Sequence, residues 1–457
     1  MRPRRLAAFF MVPLLLGGCT SMQSLNHTVL DTKLNAIVAA PTRALASLSV
    51  AAVRGGVVAA DRQYGHRAID NTNPANSIAA DSDTLYRIAS ISKFITALGV
   101  MKLVEEGKVA LDTDVGDYLG YPLRNPHFPD TAITLRMLMN HTSSLRDDAG
   151  YYWDANANVN LNDVLTPSGT LYGKGAMWGK EAKPGAYFQY VNFSWGVIGT
   201  IMERASGERF DRLMRRLLLD PMALPGGFHP ADFSPTDLQN TATLYRKRST
   251  VNNKEIWNSK GPWVAQVDDY RNERAIPRAN PNYVIGTNGT LFGPQGNCRL
   301  TAKGLAAIML MLMNNGTHNG KLILQPASVE TLLATSWQHN GLEGAASNGA
   351  AGYGGGKNVF NAWGLGNQHF VDKTGSNAGD RLAARGGFTA VGHLGDAWGL
   401  TSAMVFDRKS KNGMIFLIGG VSFNPDTNPG KYSALYRHEE QILDTLYEHA
   451  VLVDARR

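Results

Sequence analysis

Apolar and polar positions along the chain place strands at its two ends and helices between them. Residues 46–61 are rich in Val and Ala and break at Gly55-Gly56, a pattern that predicts two strands joined by a turn. Residues 70–80, DNTNPANSIAA, read as a turn-rich loop. A helix is expected from Ser90 to Glu106, stopped by Gly107. Between about 125 and 290, helical patterns mix with long loops rich in Asn, Gly, Pro, Tyr and Trp. Residues 300–314 predict another apolar helix, with Gly316 beyond it. Residues 400–407 and 414–419 predict paired strands around the turn RKSKNG, and residues 433–451 a last helix. The pattern thus predicts an α+β fold. One antiparallel sheet is built from both chain ends and flanked by helices. A mostly helical insertion at about 125–290 stands beside it, with a cleft at the seam.

The helix that opens at Ser90 changes the picture from fold to chemistry. From Phe94 to Val104 only Thr96 and Lys102 interrupt its apolar run, so it is expected to be buried all round. Lys93 falls on the same face as Ala97, Val100 and Val104, at the mouth of that helix. Burying a lysine charge is costly, and a desolvated amine with a lowered pKa can act as a base. Ser90 lies three residues earlier on the same side of the first turn. The helix N-terminus adds free N–H groups and positive potential. A nucleophile, a proton acceptor and a field for an oxyanion therefore fall together. Ser-x-x-Lys alone recurs by chance in a chain this long, so the rest of the sequence has to decide.

Composition narrows the classes. The 457 residues are 44% hydrophobic and 18% charged, an ordinary globular balance with ample length for a core. The formal charge is +7, and Arg2, Arg4 and Arg5 supply part of it near the start. The densest basic cluster elsewhere, YRKRS at 245–249, reads as a solvated loop, and no nucleic-acid partner is expected. Residues 1–18 read as a signal peptide: a basic start, an apolar stretch from Leu6 to Leu16, then Gly17-Gly18. The apolar run is too short to span a bilayer as a mature helix. Leu16-Gly17-Gly18-Cys19 resembles a bacterial lipobox, which implies a lipid anchor on Cys19, and residues 19–42 read as a tether with room for a short helix. By resemblance to Gram-negative lipoproteins, Thr20 after the cysteine points to an outer-membrane protein facing the periplasm. Cys298 is then the only other cysteine, expected as a buried small hydrophobe, with no disulfide and no metal site. His438-Glu439-Glu440 starts like a zinc-protease motif, but Ile442 stands where the second His is needed. No cofactor is expected.

Four blocks carry a family resemblance. DTLYRIASISKFITALGVMKLVEEGKVALDTDVGDYL (83–119) resembles the opening of class C β-lactamases, DD-peptidases and family VIII carboxylesterases. ITLRMLMNHTSSL (133–145) resembles their next block, with Ser144 where Gly is usual. KPGAYFQYVNFSWGVIGTIMERASG (183–207) resembles the Tyr-x-Asn block, placing Tyr190 and Asn192 in the motif. GHLGDAWGLTSAMVFD (392–407) resembles the third block, through His393-Leu394-Gly395. The blocks keep the family's order over about 45–450, within a catalytic domain read as 43–450.

The resemblance implies a serine β-lactamase/DD-peptidase-like fold and an acyl-enzyme mechanism. Ser90 would be the nucleophile, and Lys93 would ready Ser90 or Tyr190 to lose a proton. Tyr190 would be general base and acid, with its phenol lowered by Lys93 and His393. Asn192 would hold a substrate carbonyl or orient Lys93. The N–H groups of Ser90 and Asp396 would form the oxyanion hole. His393 replaces the Lys of true class C enzymes, which implies weak β-lactamase activity and a pH-dependent substrate site. The literal Lys-Thr-Gly at Lys373 is a rival third motif, set aside because a loop-like sequence follows it. By the same resemblance His141 belongs to a structural turn. Trp153, Trp178, Trp257 and Trp263 either line the cleft or pack the helical lobe. The expected substrate is a small ester, amide or D-amino-acid peptide. A non-hydrolytic penicillin-recognising scaffold or sensor is the alternative.

Overall fold

The computed structural model describes residues 27–153, 158–252, 254–271, 276–277, 280–350, 358–373 and 379–452. The expected signal peptide and Cys19 lie outside them. Nine strands form one antiparallel sheet: β1 (Ser47–Arg54), β2 (Val57–Ala68), β3 (Ile78–Ala79), β4 (Trp337–Gln338), β5 (Ala362–Trp363), β6 (Gln368–Phe370), β7 (Ala390–Ala397), β8 (Leu400–Asp407) and β9 (Asn412–Ile418). Their spatial order is β4-β5-β6-β7-β8-β9-β1-β2-β3. The expected sheet from both chain ends is therefore present, closed by the pairing of β1 with β9, Val50 opposite Phe416.

The central strands are apolar without alternation because both sheet faces are covered. On one face Ala51, Val53, Ile415 and Leu417 join a core with α2 (Ile91–Glu105), α3 (Phe193–Ser206) and α4 (Ala302–Met313). On the other, Val50, Ala52, Met414 and Phe416 pack with α1 (His27–Val38) and α5 (Arg437–Leu446). Gly55-Gly56 turns β1 into β2, both glycines at positive φ.

Two expectations are corrected here. Residues 19–42 were expected as a tether with a short helix in it; the helix is at 27–38, and it is docked on the fold. Leu30, Leu34 and Val38 recur at helical spacing and bury against α5 and the sheet, so the folded unit starts well before 43. YRKRS is not a loop but lies in the strand Leu244–Val251, which pairs with Lys254–Trp257 and Trp263–Val267. Its cations rest on tryptophans from the neighbouring strands: Arg246 and Arg248 on Trp257, Lys247 on Trp263. The insertion thus contains a small sheet among its helices. Trp178 is core, and Trp153 packs on Phe193.

This small sheet is tied to the main body by a buried ionic cluster. Asp268 accepts from Arg87 (2.9 and 2.7 Å), Arg299 (2.7 Å) and the Tyr270 hydroxyl (2.7 Å). Burial pushes the Asp268 carboxyl up, but Arg299 and Arg87 outweigh it and hold it well below the usual range. Its contribution to stability is therefore full above the unfolded carboxyl pKa of about 3.9 and lost as pH falls below it. Asp268→Asn leaves two buried guanidinium groups uncompensated, and a loss of about 3–5 kcal/mol is expected at neutral pH. Urea unfolding measures it; an unchanged midpoint would show that the cluster adds nothing.

Candidate active site

The site forms where α2 meets the edge of β7. Ala89, just before the helix, adopts φ 46°, a left-handed conformation that costs energy for any residue but glycine. It turns the chain so that Ser90 begins the helix half-exposed. Ser90 occupies the cap position, yet its side chain makes no capping bond, so its hydroxyl is left for Lys93.

Lys93 is fully buried, and its Nζ is ringed by three oxygens. Ser90 Oγ lies at 3.0 Å, Asn192 Oδ1 at 2.8 Å and the Gln295 carbonyl at 2.9 Å. Burial lowers the Lys93 pKa to about 7, although Asp147 pulls it back up. Two of the three oxygens can only accept, whereas the Ser90 hydroxyl can also donate. A neutral amine fits this ring: it donates to Asn192 and Gln295 and turns its lone pair to the Ser90 proton.

Asn192 is oriented by Asp147, which accepts from Asn192 Nδ2 (2.9 Å) and from the backbone N–H groups of Asn192 and Phe193 (3.0 and 2.9 Å). Asp147 thereby satisfies the N-terminus of α3 and fixes which amide atom faces Lys93. Segment 294–298 clamps α2 from the other side. Thr96 donates to the Pro294 carbonyl, and the Cys298 N–H donates to Ser92 Oγ at 3.0 Å. Cys298 is buried and its thiol is pushed up to about 12, an inert group as expected.

Tyr190 stands beside Lys93, whose Nζ is 5.0 Å from the ring centre. The ring stacks on Phe360 (5.3 Å, 7° between planes) and meets Trp363 edge-on at 5.8 Å. His141 lies behind it at 4.6 Å and accepts the Val191 N–H at Nδ1. Burial, with Lys93 and His393 nearby, drives the His141 pKa well down, so it is neutral. Ser144 holds φ 64°, so serine takes the left-handed conformation that glycine favours and the turn is kept.

β7 brings the third block. A Cβ on Gly395 would lie 2.7 Å from the Ile88 carbonyl and 3.0 Å from Ala89 Cβ, so only glycine lets this strand rest against the nucleophile's approach. Asp396 follows it, in register with Thr401. Among the described residues β6 pairs only with residues 390–392 of β7, so 393–397 have no strand partner on that side. His393 is buried, 6.2 Å from the Tyr190 ring, and its Nδ1 lies 2.5 Å from the Leu394 carbonyl. Burial and then Lys93 lower its pKa to about 3. Two expectations therefore fail: His393 carries no charge to lower the Tyr190 phenol, and it does not titrate near neutrality. Lys373 sits in the loop after β6, where its neighbour Asp372 bonds Arg381 at 2.9 Å. Thr374 to Ser376 lie outside the described residues.

The structure thus brings Ser90, Lys93, Tyr190, Asn192 and His393 together, with Gly395 resting against Ala89 and Asp396 next to it on β7. Asp147, Gln295, Phe360 and Trp363 join them without any sign in the sequence pattern. Among the described residues no group of three His, Cys, Asp or Glu could hold a metal. Instead, Glu440 gathers the N–H groups of Lys431, Tyr432 and Ser433, and Glu439 closes a capping box with Tyr436.

A family model described as Beta-lactamase matches residues 32–437. Protein flp of Staphylococcus aureus (strain N315) is 29% identical over 178 residues, 38% of this chain and 33% of that protein, so the match spans about a third of its length. EstCE1, a hydrolase with promiscuous acyltransferase activity, has a similar fold (TM-score 0.60, 19% identity, 92% of this chain and 99% of that one). So does a D-amino acid amidase from Ochrobactrum anthropi SV3 (TM-score 0.57, 17% identity, 92% and 97%).

Proposed function

The chain belongs to the β-lactamase family, and from that premise we propose that it is a serine hydrolase working through an acyl-enzyme on Ser90. The observation that carries the reading is the Lys93 amine, buried at 3.0 Å from Ser90 Oγ with its other neighbours both acceptors. Ser90 Oγ attacks a substrate carbonyl carbon, and its proton passes to Lys93. The oxyanion is received by the N–H groups of Ser90 and Asp396. On collapse the carbonyl re-forms, the bond to the leaving group breaks, and Tyr190 or Lys93 returns a proton to it. Water then repeats the sequence on the acyl ester and frees Ser90.

The outer edge of 393–397, unpaired among the described residues, suits a substrate that lies extended along β7, as esters, amides and D-amino-acid peptides can. The activities named for EstCE1 and the amidase fall within that range. A neutral His393 in place of a lysine supports an esterase or peptidase with weak β-lactamase activity. We place the protein in the bacterial envelope on a lipid anchor at Cys19. No described helix is long and apolar enough to cross a membrane. Cys19→Ser is expected to release it into the soluble fraction, and continued membrane association would refute the anchor.

Intact-protein mass spectrometry tests the hydrolase reading. The protein is mixed with a fluorophosphonate, a penicillin or a p-nitrophenyl ester while product is followed. A single adduct at Ser90, rapid ester turnover and a persistent penicilloyl adduct are expected. No adduct and no turnover would replace the hydrolase with a non-hydrolytic scaffold or sensor.

A further inference from the structure

Arg246 lies beside the β7–β8 turn, on Trp257, and makes no ion pair among the described residues. It lies in the strand Leu244–Val251, where Leu244, Arg246 and Arg248 share one face. Leu244 packs against Ala89 and Leu400, next to the nucleophile and at the start of β8. Arg246 follows on the same face, roughly 7 Å further along. Its side chain crosses the β7–β8 turn. A Cβ on Gly399 would fall 2.9 Å from Arg246 Cγ and 3.3 Å from its Nε, so the glycine leaves that path open. Across the same hairpin, Asp396 lies within electrostatic reach of Arg246.

The other arginines nearby are engaged. Arg248 pairs with Glu255 at 3.0 Å, and Arg87 and Arg299 are held by Asp268. Arg246 has no carboxylate within ion-pair distance among the described residues. Its Nε is buried without a hydrogen-bond partner, and its plane rests on Trp257 at 5.3 Å. Asp396, its acidic neighbour, instead meets the Tyr436 hydroxyl at 3.4 Å. A buried N–H without an acceptor is costly, and a guanidinium held on an aromatic face is pre-organised for a planar anion.

We propose that Arg246 is a specificity-determining residue that receives a carboxylate carried by the substrate at the Asp396 end of the cleft. This rests on the hydrolase reading for its site. The ligand class is a carboxylated ester or amide, bound through charge-assisted, bidentate hydrogen bonds.

Two substrate pairs test it: phenyl against m-carboxyphenyl esters, and p-nitrophenyl pentanoate against p-nitrophenyl hydrogen glutarate. In at least one pair, Arg246→Gln is expected to lower kcat/KM for the carboxylated member relative to its neutral counterpart by about 10- to 100-fold, chiefly through KM. Arg246→Lys is expected to recover part of the ratio. The same ratio is read without turnover as Kd, by calorimetry on Ser90→Ala with and without Arg246→Gln. Ratios unaltered in both pairs and in both assays would overturn the proposal. An Arg246-dependent Kd ratio with no turnover by the unaltered protein would uphold it and overturn the hydrolase reading instead.

Discussion

Ser90→Ala is expected to abolish both the fluorophosphonate adduct and ester turnover, with a rate loss on the order of 10⁴- to 10⁶-fold. The fold is expected to survive. A serine that caps a helix contributes about 1 kcal/mol through its bond to the backbone. Ser90 makes no such bond, and among the described residues its hydroxyl bonds only Lys93. The amine keeps Asn192 and Gln295 when the hydroxyl is removed. Stability should therefore stay within about 0.5 kcal/mol, measured by thermal and urea unfolding. Labelling that persists on another serine would remove Ser90 from the mechanism. Loss of activity together with a large loss of stability would show that Ser90 is structural.

The site was legible where chemistry and local pattern conflict. Lys93 stands out because a lysine on an apolar helix has to be explained within that helix, and Ser90 is one turn away. The hairpin of β8 and β9 was legible for a similar reason, since its apolar runs flank a polar turn. The partners that tune Lys93 were not. Asp147 reaches Asn192 from 45 residues away, and Gln295 reaches Lys93 from 202 residues away. Neither obeys a helical or strand period, so only the fold reveals them.

The misread elements share one cause. YRKRS looks solvated because its charges are local, while the tryptophans that cover them come from neighbouring strands. The docking of the helix at 27–38 is hidden because α5, which buries Leu30 and Leu34, lies at the other end of the chain. His393 looks titratable because its sequence says nothing of its burial, and burial is the larger cause of its low pKa. In each case a residue's type was clear and its environment was supplied by other elements of the fold.

The pH profile follows from this environment and tests the role of Lys93. Its pKa is lowered to about 7, burial outweighing Asp147. If the neutral amine accepts the Ser90 proton, acylation requires the deprotonated form. Then kcat/KM is expected to rise about tenfold per pH unit below 7 and level off above it. His393, at about 3, and His141, lower than usual, stay neutral throughout and add no inflection. The opposite profile, activity falling as pH rises through 7, would assign Lys93 as a cation serving Tyr190. Asp147→Asn supplies an independent sign. Asp147 raises the Lys93 pKa, so removing its charge should move the inflection to lower pH even as loss of Asn192 orientation slows the reaction. Lys93→Met should cut turnover by about 10⁴-fold or more, since no other described base touches Ser90 Oγ. A profile whose inflection ignores Asp147→Asn would show that the titrating group is not Lys93, and Tyr190 would take its place as the base.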